Sequence, residues 1–398
     1  MSKDVNDSVP TQEIFEADLL SMFRTAVQQT LAHVLEAEVT QLCGAASGQR
    51  SGARRDVRNG HYPRRIASSL GTLAVDVPRT RLHGAATATL GRYARRTDDI
   101  DRMITSAYVH GTSTRDMGAV TSALMGTSVD KSTVSRITRT LEQEVEALRT
   151  APIGDDIVYL FLDATFMRAR WAREVEQTAA LVAYGVGLDG HRRLLGISVD
   201  LAESEASWTE LLQSLIARGL RGIQLVIGDE HAGLAAAVRK LFPEAKRQRC
   251  VVHFMRNIMG KAPARLHPRL GRELSRIFAS TNAADLKKRT AEFRLGLGKQ
   301  LPEALQCFEN GLPAATAYLH FPKTHWPRIR STNGVERINV EIKRRTRAIG
   351  AFPDRPSCLR LVTAVVVECA KQWAYRPYLD MSDFRTADTE EEPIKLAA

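Results

Sequence analysis

IVYLFLDATF (157–166) is an almost unbroken apolar run that reaches an acid, Asp163, towards its end. Its Ile, Val, Tyr, Leu and Phe content predicts a strand buried on both faces. Two further apolar stretches follow, QTAALVAYGVGL (177–188) and HRRLLGISVDL (191–201), and the Asp189-Gly190 pair between them predicts a hairpin. SWTELLQSLIARG (207–219) reads as a helix ended by Gly219. IQLVIGDE (223–230) is a second buried strand ending on an acid, and HAGLAAAVRKLF (231–242) is the helix after it. KRQRCVVHFMRNIM (246–259) begins as a short strand or turn and becomes a helix.

Strand, strand, strand, helix, strand has a geometric consequence. Three antiparallel strands followed by a right-handed crossover place the fourth strand parallel to the first and beside it. Asp163 is expected to end the first strand and Asp229 the fourth, so both carboxylates should share one edge of the sheet. Carboxylates held that close repel unless a cation sits between them. With oxygen donors alone, that cation should be hard: Mg²⁺, with Mn²⁺ able to substitute.

A third acid stands in STNGVERINVEIKRRTR (331–347), where Glu336 heads a helix otherwise rich in cations: Arg337, Lys343, Arg344, Arg345 and Arg347. Asn333 is expected to cap this helix with Glu336 at its third position. Lys343 lies two turns further along the same face. Three carboxylates would complete a site for two metal ions bridging a phosphodiester, with the cations gripping the nucleic acid.

The composition agrees. The chain has 398 residues, and its 56 Lys and Arg against 45 Asp and Glu give a net charge of +11, which favours a polyanionic partner. The longest apolar runs, such as LVTAVVVECA (361–370), are too short to cross a bilayer, and MSKDVNDSVPTQE lacks a signal pattern, so no membrane role is expected. Five scattered cysteines predict a reducing cytosol and no disulfides.

Upstream of the sheet, residues 12–43 read as an amphipathic helix with Phe15, Leu19, Leu20, Met22 and Phe23 opening an apolar stripe, a candidate oligomer contact. From Arg50 to Arg81, eight arginines stand against two acids, among Gly, Ser and Asn. This stretch reads as a flexible DNA-contacting arm carrying Arg54, Arg55, Arg58, Arg64, Arg65, Arg79 and Arg81, or as a solvated linker. A short alternating strand (Leu73, Val75, Val77) ends at Pro78. Residues 112–149 read as a helix-turn-helix. STRDMGAVTSALMG ends in Gly, and Asp130 caps a long second helix that exposes Lys131, Ser132, Ser135, Arg136 and Arg139.

DATF (163–166), IGDEHAGL (227–234), RQRCVVHFMRNI (247–258) and TNGVERINVEIKRRTRAIGAFP (332–353) together resemble the bacterial insertion-sequence transposases of the Mutator-like superfamily. RNG (58–60), VPRTR (77–81), GTSTRDM and STVSRIT extend the likeness over most of the chain. It implies a DDE enzyme with a ribonuclease-H-like α/β core, an all-α insertion before the glutamate, and a mainly helical DNA-binding region ahead of the core. The family's triad falls on Asp163, Asp229 and Glu336. Its pattern also includes Cys250 with His253, and Glu203, Glu205 and Trp208. Implied partners are the terminal inverted repeats of the element and target DNA, in the bacterial cytoplasm at the nucleoid. Implied chemistry is cleavage by water and transfer of the freed 3′-OH.

The expected organisation is an oligomerisation segment (1–46), the Arg-rich arm (47–90), the helix-turn-helix (91–150), a core in two parts (151–260 and 329–385), the all-α insertion (261–328) and a disordered tail (386–398). Bringing two ends together calls for at least a homodimer. Cys250-x-x-His253 is half a zinc motif with no second pair, so a structural or site-lining role is expected. Trp208 either packs on the sheet or stacks on an unpaired base. Arg168, Arg170 and Arg173 either line a DNA groove or form a solvated hairpin edge. The rivals are a nuclease such as a junction resolvase, an RNA-binding protein without chemistry, and a non-catalytic DNA-binding regulator derived from a transposase.

Overall fold

The structure is a computed structural model that describes residues 12–85, 88–91, 94–154 and 156–382, with side chains from Asp18 onward. The expected disordered tail and the Phe15 side chain lie outside the described residues. Two compact units divide the chain, Met1–Arg139 and Thr140–Ala398.

In the first unit, α1 (Gln12–Cys43) packs on an antiparallel hairpin of β1 (Arg58–Ser68) and β2 (Gly71–Thr80), with β3 (Gly84–Ala85) beside β2. The stretch expected to be a flexible arm is therefore folded from Arg58 onward. The cause is the period-two pattern of β2: Leu73, Val75 and Val77 share one face and close a core with Ile66 and with Leu35, Val39 and Cys43 of α1. The strand also runs through Pro78, which faces His61 where the register shifts. Three helices follow: α2 (Asp98–Val109), α3 (Met117–Met125) and α4 (Lys131–Thr138). Gly126 ends α3 at φ 68°, and the Asp130 carboxylate caps α4 by accepting from Thr133 N–H at 2.9 Å. The second helix of this pair is shorter than expected, because a 3₁₀ turn at Arg139–Leu141 interrupts it.

The second unit opens with α5 (Glu142–Thr150). A five-stranded sheet follows, built from β4 (Ile157–Trp171), β5 (Glu174–Gly187), β6 (Arg192–Asp200), β7 (Leu225–Gly228) and β8 (Lys246–Arg249) in the order β6-β5-β4-β7-β8. The first three strands are antiparallel, and β7 runs parallel to both β4 and β8. The crossover therefore lands as expected. Between β6 and β8 lie α6 (Glu205–Ala217) and α7 (Ala232–Leu241), which cover one face of the sheet through Trp208, Leu211, Leu212, Leu215, Leu234 and Val238.

Beyond β8 the chain is helical: α8 (Val251–Met259), α9 (His267–Phe278), α10 (Ala283–Leu295), α11 (Pro302–Ala315) and α12 (Trp326–Ile329). Phe254, Phe278, Phe293 and Phe308 knit α8 to α11 together edge-to-face and by stacking. Finally, α13 (Asn333–Thr346) and α14 (Arg355–Ala370) return to the sheet, both touching β4. All five cysteines are free. Among the described residues, no helix is long and apolar enough to cross a membrane.

Candidate active site

Asp163 does not end its strand: β4 continues to Trp171, paired with β5 the whole way. What ends is the partner on the other side. The last β4–β7 pair is Phe161 with Ile227, so Asp163 and Asp229 each stand two residues beyond it. The chains are close there. A Cβ on Gly228 would lie 2.8 Å from Leu234 Cδ2 and 3.3 Å from Leu162 O.

The two aspartates differ in surroundings. Asp163 is only 7% exposed. Its Oδ1 accepts from the Ala164 N–H at 3.0 Å and its Oδ2 from Asn339 Nδ2 at 2.8 Å. Burial pushes its pKa up to about 7; the His253 charge and the Ala164 N–H oppose the rise, and the Asp229 and Glu336 carboxylates add to it. The Asp229 side chain is more open, and its Oδ1 accepts from the Glu230 N–H at 2.7 Å.

Glu336 reaches the same place from α13, but not by the expected cap. Thr332, not Asn333, precedes the first helical residue, and its side chain makes no capping bond. Instead, Thr332 N–H and Oγ1–H both point at the buried Cys250 Sγ, at 3.4 and 3.3 Å. The start of α13 is thus pinned to the corner between β8 and α8. Gly334 lets the helix approach the sheet, since a Cβ there would lie 2.6 Å from Tyr184 Oη.

His253, three residues after Cys250 on α8, stands between the two outer acids. Its Nδ1 is 3.9 Å from Asp229 Oδ2 and its Nε2 is 3.6 Å from Glu336 Oε1. The Cys250 sulfur beside it raises its pKa, burial opposes, and the acids add to the rise, bringing it to about 9. In Cys250, burial works against ionisation, but the polar hydrogens of His253 and Thr332 outweigh it and the pKa lies below the ordinary thiol value. Arg256, one turn on from His253, brings Nη2 to 3.8 Å from Glu336 Oε1.

Among the described residues, no three His, Cys, Asp or Glu side chains are gathered closely enough to hold a metal ion. The donor chemistry nonetheless fits a hard cation. Three carboxylates and the Asn339 amide offer oxygen, and Asn339 Oδ1 is a buried acceptor without a donor. The imidazolium of His253 supplies positive charge between Asp229 and Glu336.

Residues 2–376 match the family described as Transposase, Mutator family. The chain belongs to that family. It is 34% identical over 366 residues to the transposase for insertion sequence element ISRM5 of Rhizobium meliloti, covering 91% of each chain. It is also 34% identical over 381 residues to the IS1081 transposase of Mycobacterium tuberculosis, covering 94% of this chain and 92% of that one. The IS256 transposase of transposon Tn4001 in Staphylococcus aureus is 33% identical over 353 residues, with 87% and 90% covered.

Other site residues expected of this Mutator-family chain fall into distinct settings. On α4, Lys131, Ser132, Ser135 and Arg136 are all exposed, as is Arg139 in the 3₁₀ turn that follows, while Val134 and Ile137 are buried. Arg54, Arg55 and Arg81 line a cleft of about 330 Å³ with Asp56. Arg65 and Arg79 are exposed, Arg79 lying 5.8 Å from the Tyr62 ring centre. Arg58 and Arg64 are committed within the fold, donating to Ala45 O and Thr40 Oγ1, and to Gly91 O and Ala94 O. On α13, Lys343 is exposed, as is Arg347 at its C-terminal cap, and Arg344 pairs with Glu341 at 2.9 Å.

Two expected DNA contacts are corrected. Arg345 is only 7% exposed and packs inward against Glu341, because positions 335, 338, 342 and 345 form the buried stripe of α13. Trp208 has no exposed surface, and its indole N–H donates to Glu203 Oε1 at 3.1 Å, so it packs under the sheet and cannot stack on a base. Sequence reading also missed Asn339 and Arg256. Each lies three residues after a recognised site residue on a helix, Glu336 and His253, and that spacing was the available signal.

Proposed function

We propose that this Mutator-family chain is a DDE-type DNA transposase with a ribonuclease-H-like core and an all-α insertion. In this proposal it cleaves DNA at the ends of its element and joins the freed 3′-OH to target DNA. One observation carries the proposal: Asp163 and Asp229 flank the end of the parallel β4–β7 pair, and α13 brings Glu336 to the same place, with His253 between them. The sheet order, with three antiparallel strands and two parallel ones after a helical crossover, supports the core assignment. The helices between α8 and α13 support the insertion.

Asp163, Asp229 and Glu336 would hold two Mg²⁺ ions, or Mn²⁺ in their place. When bound, the ions would supply Lewis-acid polarisation of the scissile phosphodiester and of the attacking oxygen. The chain's own groups do the rest. Asn339 fixes Asp163 through Oδ2 without bringing a competing charge. His253 stands between Asp229 and Glu336, 3.9 and 3.6 Å from their carboxylates, and orients the two. Lys343 on the helix of Glu336 and Arg347 at its C-terminal cap offer exposed cations, and in the first unit the exposed residues of α4 and the Arg54–Arg55–Arg81 cleft offer cations for the terminal repeats. Holding two ends calls for at least a homodimer.

The test is excision of a marked element in a bacterial host, comparing wild-type protein with Asp163→Ala. Loss of excision with DNA binding retained is expected. A DNA-binding regulator derived from a transposase would keep all its activity in the variant.

A further inference from the structure

Arg192 opens β6, and the pleat turns its side chain to the same face of the sheet as Asp163. Asp163 and Phe161 share one face of β4, and Tyr184 stands opposite Phe161 and stacks on it at 4.5 Å. Arg192 stands opposite Val186, two residues further along β5 from Tyr184. This is the face on which α13 packs, since Asn339 meets Asp163 there. The Arg192 guanidinium lies 4.5 Å from the ring centres of both Trp373 and Tyr378, and its Nε is buried without a partner. Arg328 of α12 comes to the same tyrosine, 5.0 Å from its ring centre. The first turn of α13 is beside them, because a Cβ on Gly334 would lie 3.5 Å from Tyr378 Oη. Arg337, three residues on from Gly334, shares that flank of the helix, whereas Glu336 is turned to the opposite flank, where His253 stands. Arg192 is half-buried, and Arg328 and Arg337 are exposed. Among the described residues, no carboxylate pairs with any of the three.

We propose that Arg192, Arg328 and Arg337 form an anion site for a backbone phosphate of DNA, on the far flank of the α13 head from His253. The inference rests on the transposase proposal above. Positive charges gathered around one tyrosine repel each other, and the ring faces attract them without cancelling the charge. Burial holds the Arg192 pKa below the usual guanidinium range; the Tyr184 and Tyr378 hydroxyls oppose this, and the charges of Arg328 and Arg337 deepen the fall. A phosphate supplies the missing counter-charge, with oxygens that planar guanidinium forks meet two at a time. Arg192 is the fixed member, held against two rings. Arg328 and Arg337 open to solvent, where a continuous strand can reach them. The site lies on the same side of the sheet as the three acids, so DNA held at both would cross the head of α13.

The experiment measures the salt dependence of binding to a duplex carrying the element end and its flank, in EDTA so that nothing is cut. Arg328→Gln with Arg337→Gln should lower the salt slope by about 2, and Arg328→Lys with Arg337→Lys should keep it at the wild-type value. Without DNA, the glutamine pair should melt no lower than the wild type, because the substitutions relieve repulsion. Arg239→Gln with Lys240→Gln, two exposed cations of α7 on the other face of the sheet, should leave the slope unchanged. An unchanged slope in the glutamine pair, or an equal fall in the α7 pair, would overturn the inference. Inorganic phosphate, titrated in place of DNA, separates a backbone phosphate from a free anion. If it raises the melting temperature of the wild type alone while the DNA slope is the same in the glutamine pair, the site takes a free anion and the inference fails. Each of these failures leaves the transposase proposal standing. Wild-type protein that binds no duplex would overturn that proposal itself, and this inference with it.

Discussion

Asn339 Nδ2 donates to Asp163 Oδ2 at 2.8 Å, tying the helix that carries Glu336 to the strand that carries the first aspartate. A lysine or arginine in that place would neutralise the buried carboxylate and compete with any cation brought to it. An amide orients the carboxylate and leaves its charge in place.

Asn339→Leu should therefore cost about 1.5–3 kcal/mol of stability, the loss of a hydrogen bond to a buried charged group. Strand cleavage should fall about 100-fold through misplacement of Asp163 and Glu336, with affinity for the element end unchanged. Thermal melts and single-turnover cleavage measure the two effects separately. Unchanged cleavage would mean that the hydrogen bond is incidental to the site.

Gly334 makes a second prediction about the same helix. A methyl group there would meet the Tyr184 hydroxyl, and Tyr184 has no room to retreat because its ring stacks on Phe161 at 4.5 Å. Gly334→Ala should cost about 1–3 kcal/mol and shift the start of α13, and Glu336 with it. Denaturant titration reads the first effect, and loss of cleavage reads the second.

Lys343 and Arg345 are both cations of α13, but the helix turns them in opposite directions. Lys343→Ala should leave stability unchanged and lower the salt slope of DNA binding by about 1. Arg345→Met should cost about 1–3 kcal/mol of stability and leave the salt slope alone. The opposite pattern would reverse the two assignments.

That contrast also shows what could be read in advance. Asp163 and Asp229 were legible because each follows a buried apolar run and crossover handedness leaves one way to place their strands. Glu336 was legible because an acid at the head of a basic helix needs a reason. Arg345 was misread by counting charge, although its spacing from Val335, Ile338 and Ile342 already put it on the apolar stripe. Of the two settings open to Trp208 the structure has the packed one, and Leu211, Leu212 and Leu215 continue its buried face. The continuation of β4 past Phe166 does carry a period-two pattern, Met167, Ala169 and Trp171 alternating with Arg168 and Arg170, and its inner face is the covered one. His253 could be named, but its place between two acids depends on how α8 and α13 pack.

Protonation at the site gives a prediction for metal-free protein. The Asp163 pKa rises from 3.8 to about 7 on folding, so the native state holds the extra proton and stability falls as pH climbs through that interval. His253 rises from 6.5 to about 9, so the stability it contributes is full below 6.5 and is lost as pH climbs through 9. Both effects have the same sign. Melting of the EDTA-treated protein should drop steadily from pH 6 to pH 9, and Asp163→Asn should flatten the lower part of that slope. A melting temperature that rises over this range would contradict the burial of Asp163.

The most direct measurement is nicking of a labelled duplex that carries the element's own end, run with Mg²⁺, with EDTA, and with Glu336→Gln protein in Mg²⁺. Nicking at the element boundary by the wild type in Mg²⁺ alone is predicted, with none in EDTA or with Glu336→Gln. Tight binding to the same duplex without cleavage under any condition, or cleavage that survives Glu336→Gln, would contradict the assignment of these three acids to one metal-dependent site.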